Sequence, residues 1–174
     1  MRLFVFQVRT GAEESYLKAA CRVLPDSWGV FHWPRRKLRL RKGGGWVDSV
    51  ASIFPGYLFL ETEQVTPEHY LRLSGVPGFL RFLASNDNIL PLSPEDQEIV
   101  RHFLSFGSVV GTSRVLFDEN KRIKVLAGPL AGLEGRIVKV DRRKGRAKVR
   151  LDMFRDSFLV DFGFEILERS GEGS

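Results

Sequence analysis

The chain has 174 residues, which allows one or two domains, each large enough to bury its own hydrophobic core. Hydrophobic residues make up 43% of it and aromatic residues 11%, so an intrinsically disordered protein is excluded. The net charge of +6 is uneven, because residues 121–174 hold 13 of the 27 Lys and Arg residues but 8 of the 21 Asp and Glu residues, which favours a polyanionic partner for this part.

Cysteine content and hydropathy exclude further classes. Cys21 is the only cysteine, so an internal disulfide and a cysteine-rich metal site are excluded. The apolar run at residues 3–6 is too short for a signal peptide, and no run approaches the roughly 18 apolar residues of a membrane span. We therefore expect a cytoplasmic protein, and we expect Cys21 to be a small core residue of the first helix.

The N-terminal part predicts an α+β fold, in which helices pack on an antiparallel sheet. Its periodicity predicts strands over residues 3–9, 28–33, 57–61 and 75–83, and helices over residues 12–24, 66–73 and 93–106. Thr66 and Ser93 are the predicted N-caps of the second and third helices, each followed by a proline.

A dense run of positive charge lies at residues 34–42, P-R-R-K-L-R-L-R-K. Lys37, Arg39 and Arg41 alternate with leucines, which predicts a strand with one cationic face. Three glycines then form a tip, and residues 46–50 return as the second arm of a hairpin. Two interpretations remain open: a solvated face that prevents edge pairing, or a nucleic-acid contact.

The stretch at residues 53–61, I-F-P-G-Y-L-F-L-E, combines a type II turn with an alternating strand. Its two leucines face one side of the strand, and Tyr57, Phe59 and Glu61 face the other. A face with two aromatic residues that ends in a carboxylate is either covered by a helix or kept for a partner.

The C-terminal part predicts five short strands in a small SH3-like β-barrel. Residues 146–153 alternate most regularly, with Ala147, Val149, Leu151 and Met153 pointing inward. The predicted division is a domain over residues 1–106, a linker over 107–120, the barrel over 121–170 and a frayed end over 171–174.

Catalytic chemistry has no support in the sequence. His32, His69 and His102 are far apart and lack the carboxylate or cysteine spacing of a metal site. The glycine-rich stretches match no nucleotide-binding motif. We therefore expect neither an enzyme nor a cofactor.

The motif F-P-G-Y and the alternating strand after it resemble the centre of the NusG N-terminal (NGN) domain. Downstream, K-V-L-A-G-P-L-A-G-L-E-G-R-I-V-K-V resembles a KOW motif. Other segments agree with this resemblance: the aromatic first strand with Phe4 and Phe6, G-V-P-G-F-L-R-F at residues 75–82, and P-L-S-P-E at residues 91–95.

This resemblance implies a monomeric transcription elongation factor. The N-terminal domain of such proteins binds the clamp helices of the largest (β′) RNA polymerase subunit and favours processive elongation. Phe54, Tyr57 and Phe59 fall on the aromatic positions of that surface, Phe82 is expected to join them, and Glu61 lies at its rim. The alternative for Phe54 or Phe82 is a place in the core. The basic hairpin is the part expected to approach DNA or RNA near the polymerase.

The resemblance also implies that the KOW domain recruits a partner: the termination factor Rho, a small-subunit ribosomal protein, or RNA. Phe154 matches the aromatic position that docks protein partners, although its context is M-F-R-D-S and not the common I-F-G-R. One predicted hairpin concentrates positive charge and suggests a reader of RNA hairpins; its cationic residues are Lys139, Arg142, Arg143, Lys144, Arg146, Lys148 and Arg150.

The basic C-terminal domain and the altered segment around Phe154 favour a specialised antitermination factor of the LoaP/RfaH type. Two alternatives remain: a general NusG that acts on pausing and Rho-dependent termination, and a ribosome-associated RNA-binding protein, since KOW motifs also occur there.

Overall fold

The computed structural model describes residues 1–83 and 86–167, and the chain divides into two compact units. The first unit comprises residues 1–34 and 54–104, and the second comprises residues 35–53 together with the chain from residue 105 onward. The predicted frayed end at residues 171–174, and the end of the predicted barrel domain at residue 170, lie outside the described residues.

The described residues form three α-helices and twelve β-strands. In chain order they are β1 (Arg2–Val8), α1 (Glu13–Val23), β2 (Val30–His32), β3 (Arg35–Lys42), β4 (Gly45–Ser52), β5 (Tyr57–Thr62), α2 (Pro67–Ser74), β6 (Phe79–Phe82), α3 (Pro94–Leu104), β7 (Val109–Val110), β8 (Ser113–Phe117), β9 (Ile123–Ala127), β10 (Ile137–Asp141), β11 (Arg146–Met153) and β12 (Asp156–Ile166).

The first unit is an antiparallel sheet with helices on both faces. Its strand order is β2-β5-β1-β6. Residues of even number on β1 and β5 pack with α1 and α2, and the cluster includes Phe6, Tyr16, Leu58 and Leu73. The other face lies against α3, where the ring of Phe103 is buried. Because both faces are covered, β5 is almost wholly buried and does not follow the pattern of a half-exposed strand.

Aromatic contacts organise the core on the α1 and α2 face. The ring centroid of Phe6 lies 5.6 Å from that of Tyr16 and 5.5 Å from that of Phe82. The hydroxyl of Tyr16 donates a hydrogen bond to the carbonyl of Leu73 at 2.7 Å, and burial raises the pKa of Tyr16. Tyr16 therefore links α1 to the end of α2 while its polar group stays satisfied.

The F-P-G-Y turn has the predicted geometry and is held by a buried carboxylate. Gly56 has φ of +81°, and the Tyr57 N–H donates to the Phe54 carbonyl at 3.0 Å, as a type II turn requires. The side chain of Glu13, only 4% exposed, accepts from the Gly56 N–H at 2.7 Å and from the Gly11 N–H at 2.8 Å. The carboxylate thus joins two chain turns that are distant in sequence.

The second unit contains two sheets. The smaller has the strand order β4-β3-β7, and the larger has the order β10-β11-β12-β8-β9. The alternation predicted for β11 is confirmed, since Ala147, Val149, Leu151 and Met153 are all buried. The α+β fold class with a small SH3-like barrel is therefore the one that the structure has.

The structure differs from the sequence prediction in three details. Residues 107–120 contain β7 and β8, so they are part of the second unit's sheets, and their short apolar segment gave too weak a signal. The strands that the sequence predicts at residues 158–162 and 164–167 are one strand, β12, whose ends pair with β11 and with β8. Cys21 lies on the exposed side of α1, so its assignment to the core is wrong.

We predict that Gly56→Ala destabilises the protein more than Gly11→Ala does. Both glycines have positive φ, but a Cβ at Gly56 would lie 2.9 Å from Thr10 Oγ1 and 3.2 Å from the Val8 carbonyl, whereas a Cβ at Gly11 meets nothing within 4 Å. The conformational penalty, about 1–2 kcal/mol, is shared, so the difference between the variants measures the steric contact. Urea denaturation of both variants tests this, and equal losses of unfolding free energy would contradict it.

Candidate nucleic-acid interface

Three of the aromatic residues predicted to contact RNA polymerase lie on the α3 face of the first unit. Phe54, Tyr57 and Phe59 are 1%, 8% and 0% exposed, respectively. The ring of Phe54 lies 5.8 Å from that of Phe59 and 6.3 Å from that of Phe103. Phe54 and Phe59 are therefore core residues of the chain as described, and Tyr57 retains the most exposure of the three.

Phe82 lies on the opposite face of the sheet. It is 1% exposed and packs with Phe6, Tyr70 and Phe79 in the α1 and α2 core. The prediction that it shares one surface with Phe59 is wrong, because the sheet itself separates the two side chains. Alternation along single strands could not reveal this, since it requires the strand order.

The less buried end of the α3 face is a polar row across three strands. Gln7 of β1 pairs with Tyr57 of β5 on one side and with Arg81 of β6 on the other. The Arg81 Nε donates to the Gln7 Oε1 at 2.7 Å, and Arg81 is exposed. Sequence analysis missed Arg81 because only the β5-β1-β6 order places it beside Tyr57.

Glu61, the predicted rim residue, lies between Arg101 and His32. Arg101 Nη1 donates to Glu61 Oε2 at 2.6 Å, and His32 Nε2 lies 3.7 Å from Glu61 Oε1. Burial raises the pKa of Glu61, but the hydrogen bond and charge of Arg101, together with His32, outweigh burial and lower the pKa below the ordinary value of 4.5. Glu61 therefore stabilises the contact between β5 and α3.

Charge separates by unit more strongly than the sequence indicates. Residues 35–53 and 105–167 hold 19 Lys and Arg residues against 9 Asp and Glu residues. Residues 1–34 and 54–104 hold 7 against 10. The β3–β4 hairpin contributes to this contrast because it belongs to the second unit, with the basic barrel and not with the N-terminal sheet.

Arginine side chains fasten the hairpin to the barrel. Arg36 Nε donates to the Asp161 carbonyl of β12 at 2.6 Å, and its Nη1 donates to the Ser52 carbonyl of β4. Arg146 Nη2 donates to the Arg39 carbonyl of β3 at 2.9 Å. Burial lowers the pKa of Arg36, the Asp161 carboxylate raises it, and the charge of Arg146 lowers it further. β3 and the barrel are thus held in register.

This docking creates a cationic cleft, which we call the hairpin–turn cleft. It consists of two adjoining cavities of about 340 Å³ and 560 Å³, and Trp46, Arg143 and Lys144 line both. The other cleft residues used below are Arg39 and Arg41 on the hairpin, and Arg142 and Arg146 on the barrel. Six of the ten cations predicted to bind nucleic acid therefore meet in one place. Trp46 was missed, because its proximity to the barrel turn has no local sequence signal.

The four other predicted cations do not line this cleft. Lys37 lines a separate cavity that also contains Asp48. Lys139 and Lys148 pair directly across β10 and β11, beside two carboxylates. Arg150 Nε lies 3.0 Å from Asp152 Oδ1, so its charge is balanced.

Phe154 lies in the tight turn between β11 and β12. Phe154 and Arg155 have φ of +57° and +59°, so both central residues adopt the left-handed region without glycine. The ring of Phe154 is half-buried and lies 6.0 Å from that of Phe158. Strained turns of this kind occur at functional sites, and the partner-docking role of Phe154 stays a prediction.

No helix within residues 1–83 and 86–167 has the length and apolar content to cross a membrane. In the same ranges, no three His, Cys, Asp or Glu side chains are grouped to hold a metal ion.

His69 has a structural role. It completes the capping box of α2 with Thr66, and its Nε2 lies 3.1 Å from the Trp28 carbonyl.

The fold and the cleft define a two-unit α+β protein whose second unit is a basic SH3-like barrel. Comparison with known proteins agrees, since the KOW motif matches residues 119–152. The transcription termination/antitermination protein NusG of Thermus thermophilus is 29% identical over 136 residues, covering 73% of this chain and 72% of that protein. NusG of Pasteurella multocida is 25% identical over 97% of this chain and 95% of its own length.

A solved structure of NusG from Thermotoga maritima, which concerns domain interaction in that protein, shares the fold with a TM-score of 0.56. It is 18% identical, and the match covers 93% of each chain. Over nearly its whole length the chain is similar to NusG proteins.

We predict that the stabilising contribution of Glu61 is lost at acid pH. Because its pKa in the folded state is lowered, this contribution is complete above the ordinary value of 4.5 and disappears as the pH falls below 4.5 and through the lowered value. The unfolding free energies of wild type and Glu61→Gln should therefore converge as the pH falls. Glu98→Gln, on the exposed side of α3, is the control. The prediction would be contradicted if the difference in unfolding free energy between wild type and Glu61→Gln did not change with pH.

Proposed function

We propose that this protein is a transcription elongation factor of the NusG type that promotes antitermination. Its first unit binds the clamp helices of the largest RNA polymerase subunit, and its basic second unit contacts RNA. The observation that carries the proposal is the NusG match over nearly the whole chain, with a KOW motif in the expected position. The site of action is then the cytoplasm, where transcription takes place.

The polymerase contact centres on the row formed by Tyr57, Gln7 and Arg81. Tyr57 is 8% exposed, more than Phe54 or Phe59, and the exposed cation Arg81 shares its row through Gln7. Aromatic and arginine side chains carry much of the energy of protein interfaces. Phe54 and Phe59 support this contact from within the core by fixing the strand that presents Tyr57.

The concentration of charge in the second unit favours a specialised antitermination factor over a general one. A unit with 19 Lys and Arg residues against 9 Asp and Glu residues binds a polyanion in a strongly salt-dependent manner. The general NusG role and a ribosome-associated role are the alternatives, and both become outcomes of the experiment below.

The test is binding of the full chain to purified RNA polymerase, with terminator read-through measured in a reconstituted elongation assay. Wild type should bind and increase read-through. Arg81→Glu should weaken binding several-fold, and Tyr57→Ala by about 10-fold or more, the usual loss for an anchoring aromatic residue.

Arg22→Glu is the matched control, because it reverses a charge on α1, which packs on the opposite face of the sheet. It should bind as wild type does. Thermal unfolding of every variant separates loss of contact from loss of fold. Absence of polymerase binding by wild type would refute the proposal, and co-purification with ribosomes would then favour the ribosome-associated role. Rho-dependent termination that increases with the protein, without read-through, would favour the general NusG role.

A further inference from the structure

The hairpin–turn cleft contains an exposed aromatic ring among cations. Trp46 is 47% exposed, although tryptophan is highly buried on average. It pairs across the hairpin with Arg41, and the Arg39 guanidinium carbon lies 5.4 Å from the centre of its ring. A solvated face that only blocks edge pairing needs lysine and arginine but gains nothing from a large indole.

The cations around Trp46 have little negative charge to balance them. Among the described residues, Glu165 is the one carboxylate that lines the smaller cavity, and those that line the larger cavity, Arg41, Arg143 and Lys144 among them, include no carboxylate. Within the described ranges, none of the observed ion pairs involves these three cations. Like charges that outnumber the carboxylates beside them favour an anionic ligand.

The turn that carries two of these cations is fixed by its own hydrogen bonds. The Asp141 carboxylate accepts from the Lys144 N–H at 2.9 Å, and the Gly145 carbonyl accepts from the Phe164 N–H at 2.9 Å. Arg142 stacks over the ring of Phe117, with its guanidinium carbon 4.2 Å from the ring centre. A preorganised turn loses little conformational entropy when it binds a ligand.

The hairpin side of the cleft is equally fixed. Besides the hydrogen bonds of Arg36 and Arg146, β12 passes so close to β3 that a Cβ at Gly163 would lie 3.6 Å from the Lys37 carbonyl and 3.0 Å from Thr112 Cγ2. The position of the hairpin beside the barrel is therefore set by backbone packing as well as by the hydrogen bonds of Arg36 and Arg146.

From these observations we infer that the hairpin–turn cleft binds single-stranded nucleic acid, with an unpaired base stacked on Trp46 and the flanking phosphates bound by Arg41, Arg143 and Lys144. The inference rests on the proposed function, since it specifies the form of nucleic acid that the basic unit takes. It departs from the expectation of an RNA hairpin.

The combination of ring and cations favours a single strand over a duplex. An aromatic platform in a basic groove binds strands whose bases are free to stack, whereas the bases of a duplex are already stacked on each other. The two cavities share Trp46, Arg143 and Lys144, and together they provide room for more than one nucleotide. The chemistry is common to RNA and DNA strands, so the experiment must distinguish them.

The test is fluorescence anisotropy of the full chain, without polymerase, with labelled probes. The probes are a 12-nucleotide unstructured RNA, the DNA strand of the same sequence and the corresponding RNA duplex. We expect at least one of the two single strands to bind more tightly than the duplex. The single strand with the higher affinity identifies the natural ligand. Trp46→Ala should weaken single-strand binding about 5- to 100-fold, the usual effect of one stacked base, and Trp46→Phe should restore most of it.

Charge variants provide an independent readout. Arg143→Ala/Lys144→Ala should reduce the salt dependence of log K by about 1.4, since each phosphate contact with a single strand contributes about 0.7. Lys124→Ala/Arg136→Ala removes the same charge away from the cleft and should leave the slope unchanged. Base stacking should also quench the emission of wild type but not of Trp46→Phe.

Two results would overturn the inference: equal single-strand affinity of Trp46→Ala and wild type, or duplex binding as tight as single-strand binding. Polymerase is absent from the anisotropy assay, so either result would leave the proposed polymerase contact untouched. Conversely, if the protein does not bind polymerase, the anisotropy assay still tests the cleft.

Discussion

The second unit depends on half-buried arginine side chains that donate hydrogen bonds to backbone carbonyls. A guanidinium shielded from water costs free energy unless its donors are satisfied. Arg36 donates to the carbonyls of Asp161 and Ser52, and Arg146 donates to the carbonyl of Arg39. The Arg36–Asp161 and Arg146–Arg39 contacts join segments more than 100 residues apart, so a hairpin inserted in the N-terminal half of the chain lies in the same unit as the C-terminal barrel.

The same constraint explains why positive charge accumulates in one place. The arginines that donate to backbone carbonyls are themselves cations. They also hold the hairpin so that its other cations lie beside those of the barrel turn. Repulsion among them is a cost that folding must offset, and here the sheets and the hydrogen bonds of the turn offset it. An arrangement that is costly in isolation becomes favourable when phosphates replace water around the cations.

The local sequence pattern was sufficient to predict most of the helices and strands. It was insufficient to predict which of them lie next to each other. The alternation of β11, the type II turn at Gly56 and the cap at Thr66 follow from short-range rules and were confirmed. The burial of Phe59 and Phe82 on opposite faces depends on strand order and on helices covering both sides of the sheet. Trp46 was missed for the same reason, since its surroundings are set by a contact between distant segments.

Positive charge alone would let the second unit bind any polyanion, because phosphate contacts carry no information about strand or sequence. Trp46 changes this, since a ring exposed in the cleft distinguishes free bases from paired ones. For a protein of the NusG type, this distinction has a physical use: around a transcribing polymerase, duplex DNA is abundant and unpaired strands are few. A cleft that selects unpaired strands would concentrate the factor where transcription exposes them.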